Sequence, residues 1–369
     1  QSVFVDRVSY SVEKKESIIG LLRDHIFGQI VVANGNFGDR PALQRNGIPQ
    51  GSILSSLFCN IYFGNLEDFL LDGVFDKSSI VIKGSDAKAH ISDALIKSLG
   101  TLNLLVRIVD DFLLISTDHD TSVRFLKKLT KGIPSLGVKV NNDKTKVNYA
   151  VPLLNKRTGE VETLNRCNNA SLFPWCGLLI NTTTCEICLD YDRFSGTQAF
   201  DNVAIHRSGN EGTNLRKKMK DFVKPRCHQQ LLFNSSINSV DTVRVNFYQT
   251  FLLCAIKTVH YVRNGSGDDG PVKHCQFIYD SACDTIQFAF VLLSSKSMSY
   301  QNMFQLKWKE VLWLGRHAFH SALKRAGKQF RELCNLFAES RDVILSNRLE
   351  LIAASKRALE LFPMDGFAH

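Results

Sequence analysis

Hydrophobic and polar positions fall into two textures along the chain. Up to about residue 190, short apolar runs are cut by turn residues; beyond it, long stretches repeat apolar positions at helical spacing. Residues 17–32 predict a helix running into a β-branched strand, followed by a turn at 34–38. Gly47-Ile-Pro-Gln-Gly51 is a second break, and Ser52 is placed to cap the apolar segment from Ile53 to about Leu71. Residues 73–103 read as a polar, irregular insertion with one short helix near Ile91–Leu99. Two apolar runs, Leu104–Val109 and Phe112–Ser116, predict a tight hairpin with Asp110 and Asp111 at its tip. Asp120 is expected to cap a helix over Thr121–Lys131, with Gly132–Gly137 ending it. Val138–Tyr149 is strand-like around a polar kink at 141–144, and 152–170 reads as a polar loop. Phe173–Ile180 and Cys185–Leu189 predict a hairpin over Asn181–Thr184.

From Tyr191 the pattern predicts helices over 214–223, 239–262, 275–293, 308–326, 328–340 and 343–362, with a linker-like loop at 264–270. The expected fold class is α+β: a first domain over 1–190 built on an antiparallel sheet, then an all-α domain over 191–369. Antiparallel order follows because short hairpins cannot join parallel neighbours.

Composition narrows this little. The 369 residues are 44% hydrophobic and 22% charged, a globular balance that excludes a wholly disordered chain. No apolar run reaches the ~18 residues of a membrane span, so no membrane partner is expected. The start is neither a methionine nor a signal peptide, and the chain reads as a fragment of something longer. The 10 cysteines are scattered singly, as reduced thiols in a cytosolic or nuclear protein would be. The Cys185-x-x-Cys188 pair lacks the second pair that a structural zinc needs. Charge changes the picture more. Residues 191–369 hold 24 Lys and Arg against 16 Asp and Glu, while the first 190 residues net only +1. The basic excess sits in the second half, which points to an anionic partner gripped there.

Two features carry chemistry. Adjacent carboxylates between hydrophobic runs repel unless something neutralises them. A divalent ion does so, and Mg²⁺ favours carboxylate and phosphate oxygens. Asp110 and Asp111 therefore suit two-metal phosphoryl transfer, the plain alternative being an exposed Asp-Asp turn. The Gly47–Gly51 turn opening a helix lets backbone approach a flat or phosphorylated ligand, though such a turn is ordinary by itself.

In order, these segments resemble the telomerase reverse transcriptases. Gly47-Ile-Pro-Gln-Gly-Ser-Ile-Leu-Ser55 is similar to that family's B motif, and Leu105-Val-Arg-Ile-Val-Asp-Asp-Phe-Leu-Leu-Ile-Ser116 to its C motif. Residues 138–149 resemble the D motif, and Leu172-Phe-Pro-Trp-Cys-Gly-Leu-Leu-Ile180 the E motif, or primer grip. Asn214-Leu-Arg-Lys-Lys-Met219 and Lys224-Pro-Arg-Cys-His228 resemble the start of the C-terminal extension.

The resemblance implies a reverse-transcriptase palm followed by a helical thumb. It implies an RNA-templated DNA polymerase adding telomeric repeats to chromosome 3′ ends, working in the nucleus at telomeres. Its partners would be the telomerase RNA template, the single-stranded telomeric 3′ end, dNTPs and accessory telomere proteins. It implies two Mg²⁺ ions on Asp110 and Asp111, with Lys144 near the leaving pyrophosphate. Gln50 and Gly51 would lie by the nascent pair and templating base, and Trp175, Cys176 and Gly177 would steer the primer end. Lys217, Lys218, Lys220, Lys224, Arg226 and Asn238 would contact the nucleic-acid backbone.

The A motif with its first catalytic aspartate is not visible. Asp6 follows an apolar strand, but Ser11 stands where a second acid is expected, so the chain alone is expected to be inactive. A mobile-element or intron-type reverse transcriptase would share the B and C logic without Phe173-Pro-Trp-Cys-Gly177. A non-catalytic nucleic-acid-binding fragment would keep only the basic half.

Overall fold

A computed structural model describes residues 14–32, 41–45, 47–48, 51–52, 54–75, 80–83, 102–134, 137–149, 152–154, 161–163, 171–191, 210–228, 230–266, 271–299, 304–340 and 343–362. The expected turn at 34–38, the short helix near 91–99, Gln50 and Asp6 lie outside them. By internal packing the chain forms two units, Gln1–Asn142 and Asp143–His369.

The first unit opens with helix α1 (Lys15–Phe27) and the hairpin β1 (Ile30–Val32) and β2 (Pro41–Leu43). Helix α2 (Ser55–Leu71) follows. Ser52 acts just ahead of it: its Oγ accepts from the Leu54 amide at 3.2 Å and lies 2.8 Å from His25 Nε2. Strand β3 (Ile80–Lys83), unforeseen within the polar insertion, pairs parallel with β4 (Leu102–Ile108). β4 then pairs antiparallel with β5 (Asp111–Ser116). The sheet is thus mixed rather than purely antiparallel, because β3 reaches β4 through a long connection instead of a hairpin.

Helix α3 (His119–Lys131) is capped by Asp118 and not by Asp120. The Asp118 carboxylate accepts from the Thr121 amide at 2.8 Å and from the Thr121 hydroxyl, bonds that lower its pKa. Period two sorts the hairpin's faces. Leu105, Phe112 and Leu114 pack with Leu66 of α2 and Phe125 of α3 into a small core. On that same face the Ser116 hydroxyl donates to the buried Asn103 side chain opposite it, at 2.6 Å.

The expected strand over 138–149 does not form as a continuous strand: in the first unit Val138 makes an isolated bridge with Ile133, and 142–144 is a turn, the chain from Asp143 on belonging to the second unit. The expected loop at 152–170 instead holds the hairpin β6 (Pro152–Leu154) and β7 (Val161–Thr163). The next sheet has three strands where two were expected: β8 (Leu172–Trp175), β9 (Leu178–Asn181) and β10 (Ile187–Leu189).

Helices then follow: α4 (Glu211–His228), α5 (Gln230–Phe233), α6 (Val240–Ser266), α7 (Cys275–Ser299) and α8 (Trp308–Leu323). A 3₁₀ turn (Lys328–Phe330) leads into α9 (Arg331–Glu339), α10 (Val343–Ser346) and α11 (Leu349–Glu360). The fold is α+β, as expected.

α6 is the axis of this unit. It is buried on nearly every side, with Phe247, Tyr248, Phe251 and Leu252 inaccessible to solvent. Its polar side chains are paired inside. Arg244 bonds Glu310 at 3.0 Å, and the Tyr248 hydroxyl lies 3.0 Å from His317 Nδ1 and 2.9 Å from Ser321 Oγ. Gln249 donates to the Ala358 carbonyl at 3.1 Å. The β8–β10 sheet belongs with these helices: Leu178 and Tyr191 are buried in their core, and Ile187 and Leu189 pack on it. This is why the packing boundary precedes the sheet, whereas the change of texture near 190 follows it.

Candidate active site and nucleic-acid interface

The carboxylate pair sits on a two-residue turn. Ile108 pairs with Asp111, so Val109 and Asp110 form the turn and Asp111 opens β5. Both acids are exposed. Val109 has φ +58°, while Asp110 is not among the residues with positive φ. A positive φ at the first turn position alone is a setting glycine normally fills, and a β-branched residue there is an outlier. Val109 is 41% exposed, so packing of its own side chain does not account for the conformation.

The B-like turn precedes α2. Gly47 and Gly51 have φ +85° and +84°, which explains glycine at both ends of the break. Gly51 is exposed with nothing within 4 Å of a would-be Cβ, leaving its backbone open to a flat ligand. Lys144 is exposed in the turn at 142–144 of the second unit.

Trp175 pairs with Leu178, so Cys176 and Gly177 are the turn of the β8–β9 hairpin. Their φ values, +48° and +79°, fit the two left-handed positions of a type I′ turn. Cys176 is exposed; Trp175 is half-buried, and its indole N–H has no acceptor among the described residues. Cys188 faces the core, its thiol pushed up to about 11 by burial, while Cys185 is exposed.

Helix α4 divides the basic run by its own geometry. Leu215, Met219, Val223 and Cys227 form the buried stripe. Lys217, Lys220 and Lys224 recur at i, i+3 and i+7, along one side of the helix. Lys217 and Lys224 are exposed, whereas Lys220 is half-buried, its ammonium 5.6 Å from the Phe288 ring. Lys218 is half-buried. Arg226 turns inward: one guanidinium nitrogen donates to the Phe222 carbonyl at 3.1 Å, and its Nε is buried.

Asn238 corrects the expectation of a backbone contact. It is 2% exposed, and both ends of its amide are used within the protein. Its Oδ1 accepts from the Ile187 amide at 2.7 Å, and its Nδ2 donates to the carbonyls of Leu231 and Leu232 at 2.7 and 3.1 Å. Asn246 donates to the Ile187 carbonyl at 2.8 Å. The two asparagines thus fasten the edge strand β10 to the helices, which covers an otherwise open edge. Beside them the Ser239 amide donates to Glu186 at 2.7 Å. Partial burial pushes the Glu186 carboxyl up, but its bonds with Ser239, Thr242 and Thr184 hold it below the ordinary value.

Comparison with known proteins bears directly on this arrangement. The family model "Telomerase reverse transcriptase, C-terminal extension" matches residues 213–337, from the first turn of α4 to α9. The telomerase reverse transcriptase of Arabidopsis thaliana is 28% identical over 90% of this chain and 29% of its own length. That of Mus musculus is 34% identical over 60% of this chain and 17% of its own. Over most of its length the chain is thus similar to the C-terminal region of telomerase reverse transcriptases. It spans less than a third of the length of these relatives. A solved structure of apo telomerase from Candida tropicalis matches at a TM-score of 0.31, with 16% identity over 88% of this chain and 42% of that one.

The two acids at the hairpin tip suit a hard cation but make only a partial shell. Carboxylate oxygens fit Mg²⁺, yet among the described residues no group of three His, Cys, Asp or Glu could hold a metal ion. Among the described residues, too, no helix is long and apolar enough to cross a membrane. One important residue escaped the sequence reading. Arg107, half-buried within the run Val106–Ile108, bonds Glu67, Asn60 and the carbonyl of Val109. Its signal was a lone cation inside an apolar strand, where charge is costly unless paired.

Proposed function

We propose that this chain supplies the second half of a reverse-transcriptase palm and the thumb of an RNA-templated DNA polymerase that adds telomeric repeats to chromosome 3′ ends. The observation that carries the reading is the hairpin tip: two consecutive carboxylates at the turn between two paired strands, in a chain whose relatives are telomerase reverse transcriptases. Asp110 and Asp111 would hold Mg²⁺, which when bound supplies charge neutralisation at the transferring phosphoryl group and lowers the pKa of the primer hydroxyl. Gly51 presents open backbone toward the nascent pair, and Gln50 accompanies it. Lys144 stands ready to stabilise or protonate the leaving pyrophosphate. Trp175, Cys176 and Gly177 orient the primer end.

Lys217, Lys220 and Lys224 grip phosphates of the RNA–DNA duplex, with Lys218 at the margin. The partners are the template RNA, the telomeric 3′ end, dNTPs and accessory telomere proteins, and the place of action is the nucleus at telomeres. Primer extension by the full-length protein with its RNA tests the reading. Asp110→Ala should cut nucleotide addition at least about a hundredfold, the scale of losing one preorganised charge stabiliser. Retention of most of the rate would overturn it.

A further inference from the structure

We infer that Arg107 is the positioning residue of the carboxylate hairpin, holding the strained Val109–Asp110 peptide in the one orientation that aims both acids. This rests on the proposed function above.

The contact set is specific. One terminal nitrogen of Arg107 donates to the Val109 carbonyl at 2.7 Å and to Asn60 Oδ1 at 3.1 Å. Its Nε donates to Glu67 Oε1. The guanidinium carbon lies 5.8 Å from the Phe63 ring and 5.9 Å from the Phe112 ring. Arg107 and Glu67 side chains are only 13% and 16% exposed, so the pair is shielded from water. Asn60, Phe63 and Glu67 lie at i, i+3 and i+7 on one face of α2, so a single helix face carries the anchor.

The turn needs such an anchor. In a two-residue hairpin the carbonyl of the first turn residue has no ladder partner. Turns with φ positive only at the first position, and turns with φ positive at both, interconvert by rotating the central peptide. Aspartate tolerates positive φ better than most residues. Rotation of the Val109–Asp110 peptide would therefore be accessible, would relocate the Val109 oxygen, and would re-aim Asp110. The Arg107 bond to that oxygen opposes it. Lysine cannot replace this link, because one ammonium cannot reach Glu67, Asn60 and Val109 with the same fork geometry.

The test begins without turnover. In the metal-free full-length protein, hydrogen exchange in the peptide covering Ile108–Phe112 should quicken about tenfold or more in Arg107→Ala and in Arg107→Lys. Introducing Val109→Gly should largely abolish that difference, since glycine holds the turn unaided. Single-turnover addition should fall about tenfold to a hundredfold in Arg107→Ala with duplex affinity kept, the scale of misplacing reacting groups. The fall should be several-fold smaller in the Val109→Gly background. Should Arg107→Ala not fold, Arg107→Lys and Glu67→Gln carry the same comparison. Unchanged exchange, or equal losses in both backgrounds, overturns the inference. An active Asp110→Ala variant sinks the proposed function instead, whatever Arg107 does to exchange.

Discussion

Val109–Asp110 closes β4 onto β5 with one positive φ, +58° on a valine; Cys176–Gly177 closes β8 onto β9 with two, +48° and +79°. Both loops are two residues long, yet they obtain their twist differently. The second suits its sequence, because glycine takes the more demanding left-handed position at no steric cost. The first runs against its sequence and is held by a side chain, Arg107 of β4, that donates to the carbonyl of Val109 and is itself tied to α2. Strain imposed by surroundings concentrates where a group must be aimed. The difference therefore separates a turn whose own residues set its shape from one held in place to present charges.

The comparison can be broken at its anchors. For the sheet that holds the second hairpin the anchor is Asn238, which ties the edge strand β10 to the helices, and not the turn. Asn238→Ala leaves the Ile187 amide and the carbonyls of Leu231 and Leu232 without that partner, and should destabilise the second unit by about 2–4 kcal/mol. Denaturant unfolding of the full-length protein, followed by a probe in that unit, reads the loss. A change below about 0.5 kcal/mol would return Asn238 to the surface role first expected of it.

A smaller effect sharpens the contrast between the turns. Gly177→Ala should cost about 1–2 kcal/mol, because alanine at φ +79° pays the left-handed penalty. Cys176→Gly should change stability by less than about 1 kcal/mol, since relief of that penalty is offset by greater freedom in the unfolded chain. Thermal unfolding of both variants decides. Equal and negligible effects would mean that the surroundings, and not the sequence, hold this turn as well.

Much of this was legible in the chain itself. The β4–β5 hairpin, α1, α2 and the long helices were expected from period and turn residues, and the acids and the two glycines from their neighbours. What escaped depended on tertiary partners. β3 and the β6–β7 hairpin are short and flanked by polar residues, so local pattern understates them. Val138–Tyr149 alternates like a strand, but an isolated bridge such as that of Val138 with Ile133 cannot sustain a ladder. Asp118 and Asp120 are two residues apart, and only the geometry at Thr121 selects the cap. Asn238 and Arg226 read as surface groups because they are polar, although each satisfies groups inside the fold. Arg107 was hidden by its apolar flanks, since nothing local reveals that α2 supplies its partners.

On the proposed function, chemistry and grip reside on different parts of the chain: the acids on the strained turn, the duplex contacts on the lysines of α4. Measuring duplex affinity and single-turnover rate side by side, in the full-length protein with its RNA, tests this most directly. Asp111→Ala should lose the rate and keep the affinity. Neutralising Lys217, Lys220 and Lys224 together should weaken binding and flatten its salt dependence, by about 0.9 in log–log slope per lost contact, while sparing the rate at saturating duplex. Rate and affinity falling in parallel in both variants would contradict the account.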